Sequence, residues 1–303
     1  MSSHSLTAER RGAWSILGAG MLWGTTGVTT QFIYNVSSTN ALSVAFMRLG
    51  ICALILLICG LRVLGRRMWR VSGRDLLLMV FLGVMQAIFQ FTYLAAIPEC
   101  GITIATLIAL CVAPVLVVIY SALFLRERIT LKIALALICA VGGTILLSDM
   151  PTSPQHSGHM LTGVLLSLAC AASYAGVIVG GRTLSQRCSP VQVNAVAFGV
   201  GALLLLACSL TTPLVFSYSP ICWLLLFYLG CIPTALAYLL FQSGMRATPA
   251  TLTSILTLAE PLTAAILAWI IFDERLSFLG IIGAILLLGT ILLLARAPKP
   301  ATT

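Results

Sequence analysis

The sequence predicts an all-α integral membrane protein of ten transmembrane helices, built as two inverted five-helix repeats with both termini cytoplasmic. Three observations carry that prediction. The 303 residues are 60% hydrophobic and 8% charged, against roughly 25% charged in soluble domains. The apolar runs do not alternate and are about 20 residues long, the length of a bilayer-crossing helix rather than of a barrel strand. The chain also repeats itself. Ala113-Pro114, followed by Phe124-Leu125-Arg126-Glu127-Arg128-Ile129-Thr130, returns 147 residues later without a gap. The second copy is Glu260-Pro261, followed by Ile271-Phe272-Asp273-Glu274-Arg275-Leu276-Ser277.

The repeat divides the chain into halves at 1–149 and 150–303. The expected spans in the first half are 12–34, 41–61, 75–97, 102–124 and 131–149; those in the second are 161–182, 191–211, 221–243, 250–271 and 277–296. With the N-terminus inside, 15 of the 17 Lys and Arg residues fall on the cytoplasmic side; Arg275 lies outside and Arg48 within the membrane. Five spans is an odd number, so the second half enters the bilayer upside down. Inverted repeats of this kind mark secondary transporters, whose site lies near the midplane between the halves. Some channels have them too.

Composition also removes whole classes. The net charge of +9 sits in short loops between apolar runs, where it sets orientation; no nucleic-acid partner is expected. Ten cysteines lie mostly inside apolar runs with no Cys-x-x-Cys pair, and His4, His156 and His159 are in tails or loops, so no metal site is expected. A nucleotide-binding Gly-x-x-x-x-Gly-Lys-Ser/Thr loop is absent, and no cofactor is implied. The run from Ala13 to Ile33 has a counterpart in the second half, which argues against a cleaved leader.

In the first span, Gly20 and Gly24 form a small-xxx-small face that lets another helix approach closely. Trp23 between them lies near mid-depth and aligns with Tyr174 in the second half. The two are packing residues or the walls of a central cavity. The second span carries Arg48, whose counterpart is Gly199. The third places Gln86, Gln90 and Tyr93 at i, i+4 and i+7, a polar stripe that must face the bundle interior. The eighth repeats the device with Thr234, Tyr238 and Gln242. Either stripe could bind a ligand or tie helices together.

The ninth span holds Glu260 near its centre, on a face shared with Thr253 and Thr257. An acid there costs about 2.5–3.5 kcal/mol on insertion scales, so it is normally kept inside a bundle. Pro261 removes a backbone donor and is expected to break the helix beside it, as Pro114 is in the fourth span. Ala113 stands where the first half would carry a second acid. Arg48 and Glu260 form a buried salt bridge, make separate hydrogen bonds, or flank a substrate path. The loop charges Glu127-Arg128 and Glu274-Arg275 are expected to stop their helices and to bond the start of the next.

Trp23-Gly24 in the first span, Glu260-Pro261 in the ninth, and the two Glu-Arg closings in a doubled five-span pattern resemble the EamA-type members of the drug/metabolite transporter superfamily. The resemblance covers residues 13–296. It implies ten helices around a central cavity and export of small metabolites, often amino acids, from a bacterial inner membrane. It does not name a substrate.

These readings converge on a secondary transporter working by alternating access. Glu260 would hold a proton or a substrate amine, with protons as a candidate coupling ion. Arg48 would balance it or meet a substrate carboxylate. Trp23, Tyr93, Tyr174 and Tyr238 would wall the cavity, with Gln86, Gln90, Gln242 and Thr257 adding polar contacts. The expected partners are a small-molecule metabolite and the lipid bilayer, and the chain is a monomer or a homodimer. The alternatives are a membrane channel and an intramembrane or lipid-handling enzyme. Catalysis would need at least two converging groups, and Glu260 is the only acid at depth, so no enzyme is expected.

Overall fold

The structure, a computed structural model, describes residues 3–100, 102–127, 129–148, 159–210, 212–272 and 277–296. They form helices and connecting turns, with no β-strand among the described residues. The helices are α1 (Ser3–Val36), α2 (Ala41–Leu64), α3 (Gly73–Cys100), α4 (Ile102–Tyr120), α5 (Leu131–Leu147), α6 (Met160–Ser185), α7 (Pro190–Cys208), α8 (Pro220–Gly230), α9 (Ala237–Gly244), α10 (Ala250–Leu256), α11 (Ala259–Phe272) and α12 (Phe278–Arg296). A π-helical stretch, Cys231–Leu236, joins α8 to α9 in one rod.

Among the described residues eight helices are long and apolar enough to cross a membrane, counting α8–α9 and α10–α11 as one rod each. Two of the ten expected spans lie outside that set. Leu131–Leu147 is apolar but shorter, and the middle of α1 is diluted by Thr25, Thr26, Gly27, Thr29 and Thr30. Large apolar side chains such as Val63, Phe124, Leu224 and Phe278 face outward. That is the expected arrangement where the surroundings are lipid rather than water.

Local sequence explains where the elements begin. Asn40 caps α2 by accepting the Ser43 amide, Thr130 does the same for α5 at Ile133, and Ser189 and Gln192 make a capping box at α7. Packing then joins the two halves throughout. α3 lies along α6 and α7, α2 along α7 and α8, α4 along α6, α5 along α12, and α1 along α9 and α11.

The two prolines behave differently. α10 ends at Leu256, and α11 starts at Ala259, placing Pro261 in a first turn that needs no amide from it. The Glu260 amide bonds back to the Thr257 carbonyl at 3.0 Å, tightening the chain across the break. Pro114, by contrast, does not break α4, which runs through it. Its partner α6 packs along it, and such support lets membrane helices tolerate proline. The irregularity comes later, as a π-helical stretch at Ser121–Leu125.

Candidate functional site

The glycine face of α1 is what brings the ninth span into the centre. A Cβ added at Gly24 would lie 2.6 Å from Thr263 Cβ and 2.8 Å from the Glu260 carbonyl oxygen. One at Gly20 would lie 3.2 Å from Ala259 Cβ and 3.3 Å from the Thr257 carbonyl oxygen. At Gly24 no residue but glycine allows the backbones this close, and at Gly20 a side chain would need the neighbour to give way. The helix break and Glu260 therefore rest directly against α1, and Trp23, between the two glycines, is carried into the same region.

Trp23 packs its ring on Tyr238 at 4.8 Å and on Phe241 at 5.1 Å. Tyr238 meets Phe198 edge-on at 4.7 Å, and its hydroxyl accepts from Gln86 Nε2 at 3.2 Å. Asn194 on α7 donates to the Tyr238 carbonyl at 3.1 Å. Tyr238 is thus held by α1, α3 and α7. Asn194 had no signal in the sequence beyond being an amide in an apolar run.

The register of Tyr238 depends on the π-helical stretch before it. Pro233 has no amide to donate there, and the Thr234 hydroxyl donates to the Leu229 carbonyl at 2.7 Å. A side-chain donor thereby serves the irregular backbone, as buried membrane helices require.

Arg48 and Glu260 both remain half-buried, whereas Trp23, Gln86, Gln90, Tyr238, Gln242 and Thr257 are buried. The two charges make no ion pair within 4.0 Å; among the described residues only Arg187 and Asp75 do, at 3.6 Å. They are nevertheless near enough to interact electrostatically. Tyr93 and Tyr174 also feel the Glu260 charge, and Tyr238 feels both charges. Arg48, Tyr93, Tyr174, Tyr238 and Glu260, each from a different rod, therefore share one neighbourhood.

The hydrogen bonding there is incomplete. Buried polar groups nearly always have partners. Among the described residues six buried side-chain atoms have none, and four of them are Trp23 Nε1, Arg48 Nε, Gln90 Nε2 and the Tyr174 hydroxyl. The Tyr174 hydroxyl faces Thr257, but Thr257 donates its own proton to the Ser254 carbonyl at 2.9 Å. All four orphaned atoms are donors, so the site can accept a group rich in acceptor oxygens while Glu260 offers a place for a cation.

Other expected site residues are already committed. Gln242 donates to the Gly181 carbonyl at 2.7 Å, tying α9 to α6. The Tyr93 hydroxyl bonds Thr106 Oγ1 at 2.7 Å. Glu127 does bond a helix start, but not that of the next helix. Its carboxylate accepts from the Ala250 amide at 2.8 Å and from the Thr251 amide and hydroxyl at 3.1 and 2.9 Å, so it caps α10 in the other half. Thr130 already serves α5. Arg128 and Asp273 to Leu276 lie outside the described residues, as does the second Glu-Arg pair.

The chain is also similar to known proteins. The model of the EamA-like transporter family matches the chain twice, over residues 10–149 and 161–296. The chain is 31% identical to the uncharacterized transporter YwfM of Bacillus subtilis (strain 168), covering 95% of each. It is 27% identical to the uncharacterized inner membrane transporter YicL of Salmonella typhimurium (strain LT2), covering 95% of this chain and 96% of that one. A solved crystal structure of 21% sequence identity superposes with a TM-score of 0.79 over 95% of this chain and 97% of the other, which speaks to the fold alone.

Proposed function

The chain belongs to the EamA-like transporter family, and we propose from that membership that it is a ten-span secondary transporter exporting small polar or amphipathic metabolites, amino acids or related compounds, across a bacterial inner membrane. The observation that carries the reading is the set of orphaned donors on α1, α2, α3 and α6, two of which, Arg48 and Tyr174, interact with the charge of one half-buried acid on α11. A zwitterion would complete it, its carboxylate taking protons from Arg48, Trp23 and Gln90 while its ammonium meets Glu260.

Alternating access follows from the halves being inverted copies. The helix contacts support this, because they pair under exchange of the halves. α1 against α11 corresponds to α6 against α4, and α1 against α9 to α6 against α3. The contact of α3 with α7 corresponds to that of α2 with α8. Two such packings can trade roles at similar energy, opening one end and then the other. α1 is gripped at Gly12, Gly20 and Gly24, whereas a Cβ at Gly27 would meet nothing within 4 Å. Proton coupling would run through Glu260.

The test is counterflow of candidate metabolites, amino acids first, in liposomes carrying the purified chain. Wild type is expected to show saturable exchange that Glu260→Gln and Arg48→Ala abolish. Wild-type exchange by both variants would overturn the site, and ion conductance without saturation would make the protein a channel.

A further inference from the structure

We propose that the turn joining α2 to α3 is a binding site for the headgroups of anionic phospholipids of the surrounding bilayer. Arg66, Arg67 and Arg70 lie in this short connection, Arg62 in the last turn of α2 and Arg74 in the first turn of α3, and all five are exposed. Among the described residues none of the five guanidinium groups is hydrogen-bonded or ion-paired. The neighbouring acid, Asp75, is taken: it accepts from Ser72 Oγ at 2.8 Å and pairs with Arg187 of the other half. Two arginines of the second half, by contrast, are occupied. Arg182 donates to the Met245 and Arg246 carbonyls, and Arg246 donates to those of Ser185 and Cys188.

The turn is held rigidly enough to be a site. Gly65, at φ 53°, ends α2 with a backbone conformation that a side chain would strain. The 3-10 turn Gly65–Trp69 follows. Met68 is buried beneath it, with its sulfur so close to Gly60 that a Cβ there would lie 2.8 Å away. Gln192 on α7 donates to the Arg67 and Met68 carbonyls at 2.9 and 3.2 Å. With Met68 inward and the backbone fastened, Arg66, Arg67 and Arg70 point outward around Trp69, which is 69% exposed.

Exposed indole beside unpaired guanidinium is the composition of a membrane–water interface. Clusters of four or more basic residues next to a membrane helix attract anionic lipid electrostatically. Guanidinium groups also bind phosphate oxygens in pairs, which favours a phosphodiester over a diffuse surface charge. Orientation alone requires no anchoring of the turn and no exposed tryptophan. The site is independent of the central one and of the transported compound.

The test uses the full chain in phosphatidylcholine nanodiscs containing brominated phosphatidylglycerol or brominated phosphatidylcholine. Tryptophan quenching is compared with that of Trp69→Phe, which isolates the Trp69 signal. Wild type is expected to favour phosphatidylglycerol by about tenfold, and Arg66→Gln/Arg67→Gln/Arg70→Gln should abolish the preference. High salt should weaken it, and added inorganic phosphate should not compete at matched ionic strength. Equal quenching by the two lipids, or preference retained in the triple variant, would leave the charges with orientation alone and overturn the proposal. Competition by inorganic phosphate would overturn it in favour of a soluble anion.

Discussion

Removing the Glu127 carboxylate should loosen the end of the bundle where the two halves are fastened. Glu127 receives three bonds from the start of α10, and both residues it caps are buried, Ala250 at 0% exposure and Thr251 at 1%. Glu127→Ala leaves two buried amides without acceptors. Loss of a cap costs about 0.5–2 kcal/mol, and a hydrogen bond to a charged group is worth about 1.5–3 kcal/mol. These overlap, so the net effect is about 2–3 kcal/mol. That shifts the local opening equilibrium by about 30- to 150-fold, since each 1.4 kcal/mol is about tenfold. Hydrogen exchange of the 248–258 segment in nanodiscs reads this opening directly. Glu127→Ala should accelerate exchange there by that factor, Glu127→Gln by less, because the amide oxygen still accepts. α5, capped separately by Thr130, should be unaffected. Unchanged exchange of the 248–258 segment in Glu127→Ala would refute the capping role and the coupling of the halves through it.

Three further outcomes follow from the same contacts. Gly24→Val should cost about 1–3 kcal/mol as an overpacked contact, lowering the thermal midpoint in detergent, while Gly27→Ala should leave it unchanged because nothing lies near. Thr234→Val should lose the bond to the Leu229 carbonyl and about 1–3 kcal/mol with it; Thr234→Ser should restore most of the midpoint. Asn194→Ala should free the Tyr238 carbonyl, which would appear as faster amide exchange in α9 than in α7.

Much of this was legible in the residues. The polar stripes of the third and eighth spans could only face inward, because lipid offers amides and phenols no partners; Gln86 and Tyr238 indeed bond each other across 152 residues. Gly20 and Gly24 announced a close helix, but not which one. Spacing says that a backbone can approach, while the identity of the neighbour depends on the whole packing. Pro114 and Pro261 read alike in sequence and differ in effect, since a helix survives proline when its partner supports it. The target of Glu127 was misread for a related reason. A carboxylate seeks free amides, and those of α10 lie against Glu127, while Thr130 already takes the Ile133 amide at the start of α5. The middle of α1 is weakly apolar for the reason that lets it pack closely: glycine and threonine lower its hydropathy while letting it lie against α11.

The asymmetry of the charges then bears on how the site could arise. On the reading of two inverted copies, Arg48 corresponds to Gly199 in the other half and Glu260 to Ala113, which is fully buried. Two symmetric acids at one depth would repel and each would bear the full cost of burial, whereas one acid and one base offset each other across the intervening space. The duplicated scaffold can therefore stay two-fold while its chemistry cannot. Neither half holds the site alone. The acid belongs to the second half but is set in place by glycines of the first, and Tyr238 of the second is oriented by Gln86 of the first. On the proposed reading, breaking the symmetry at these few positions would convert a seam between equivalent halves into a polar site with a cationic side and an anionic one.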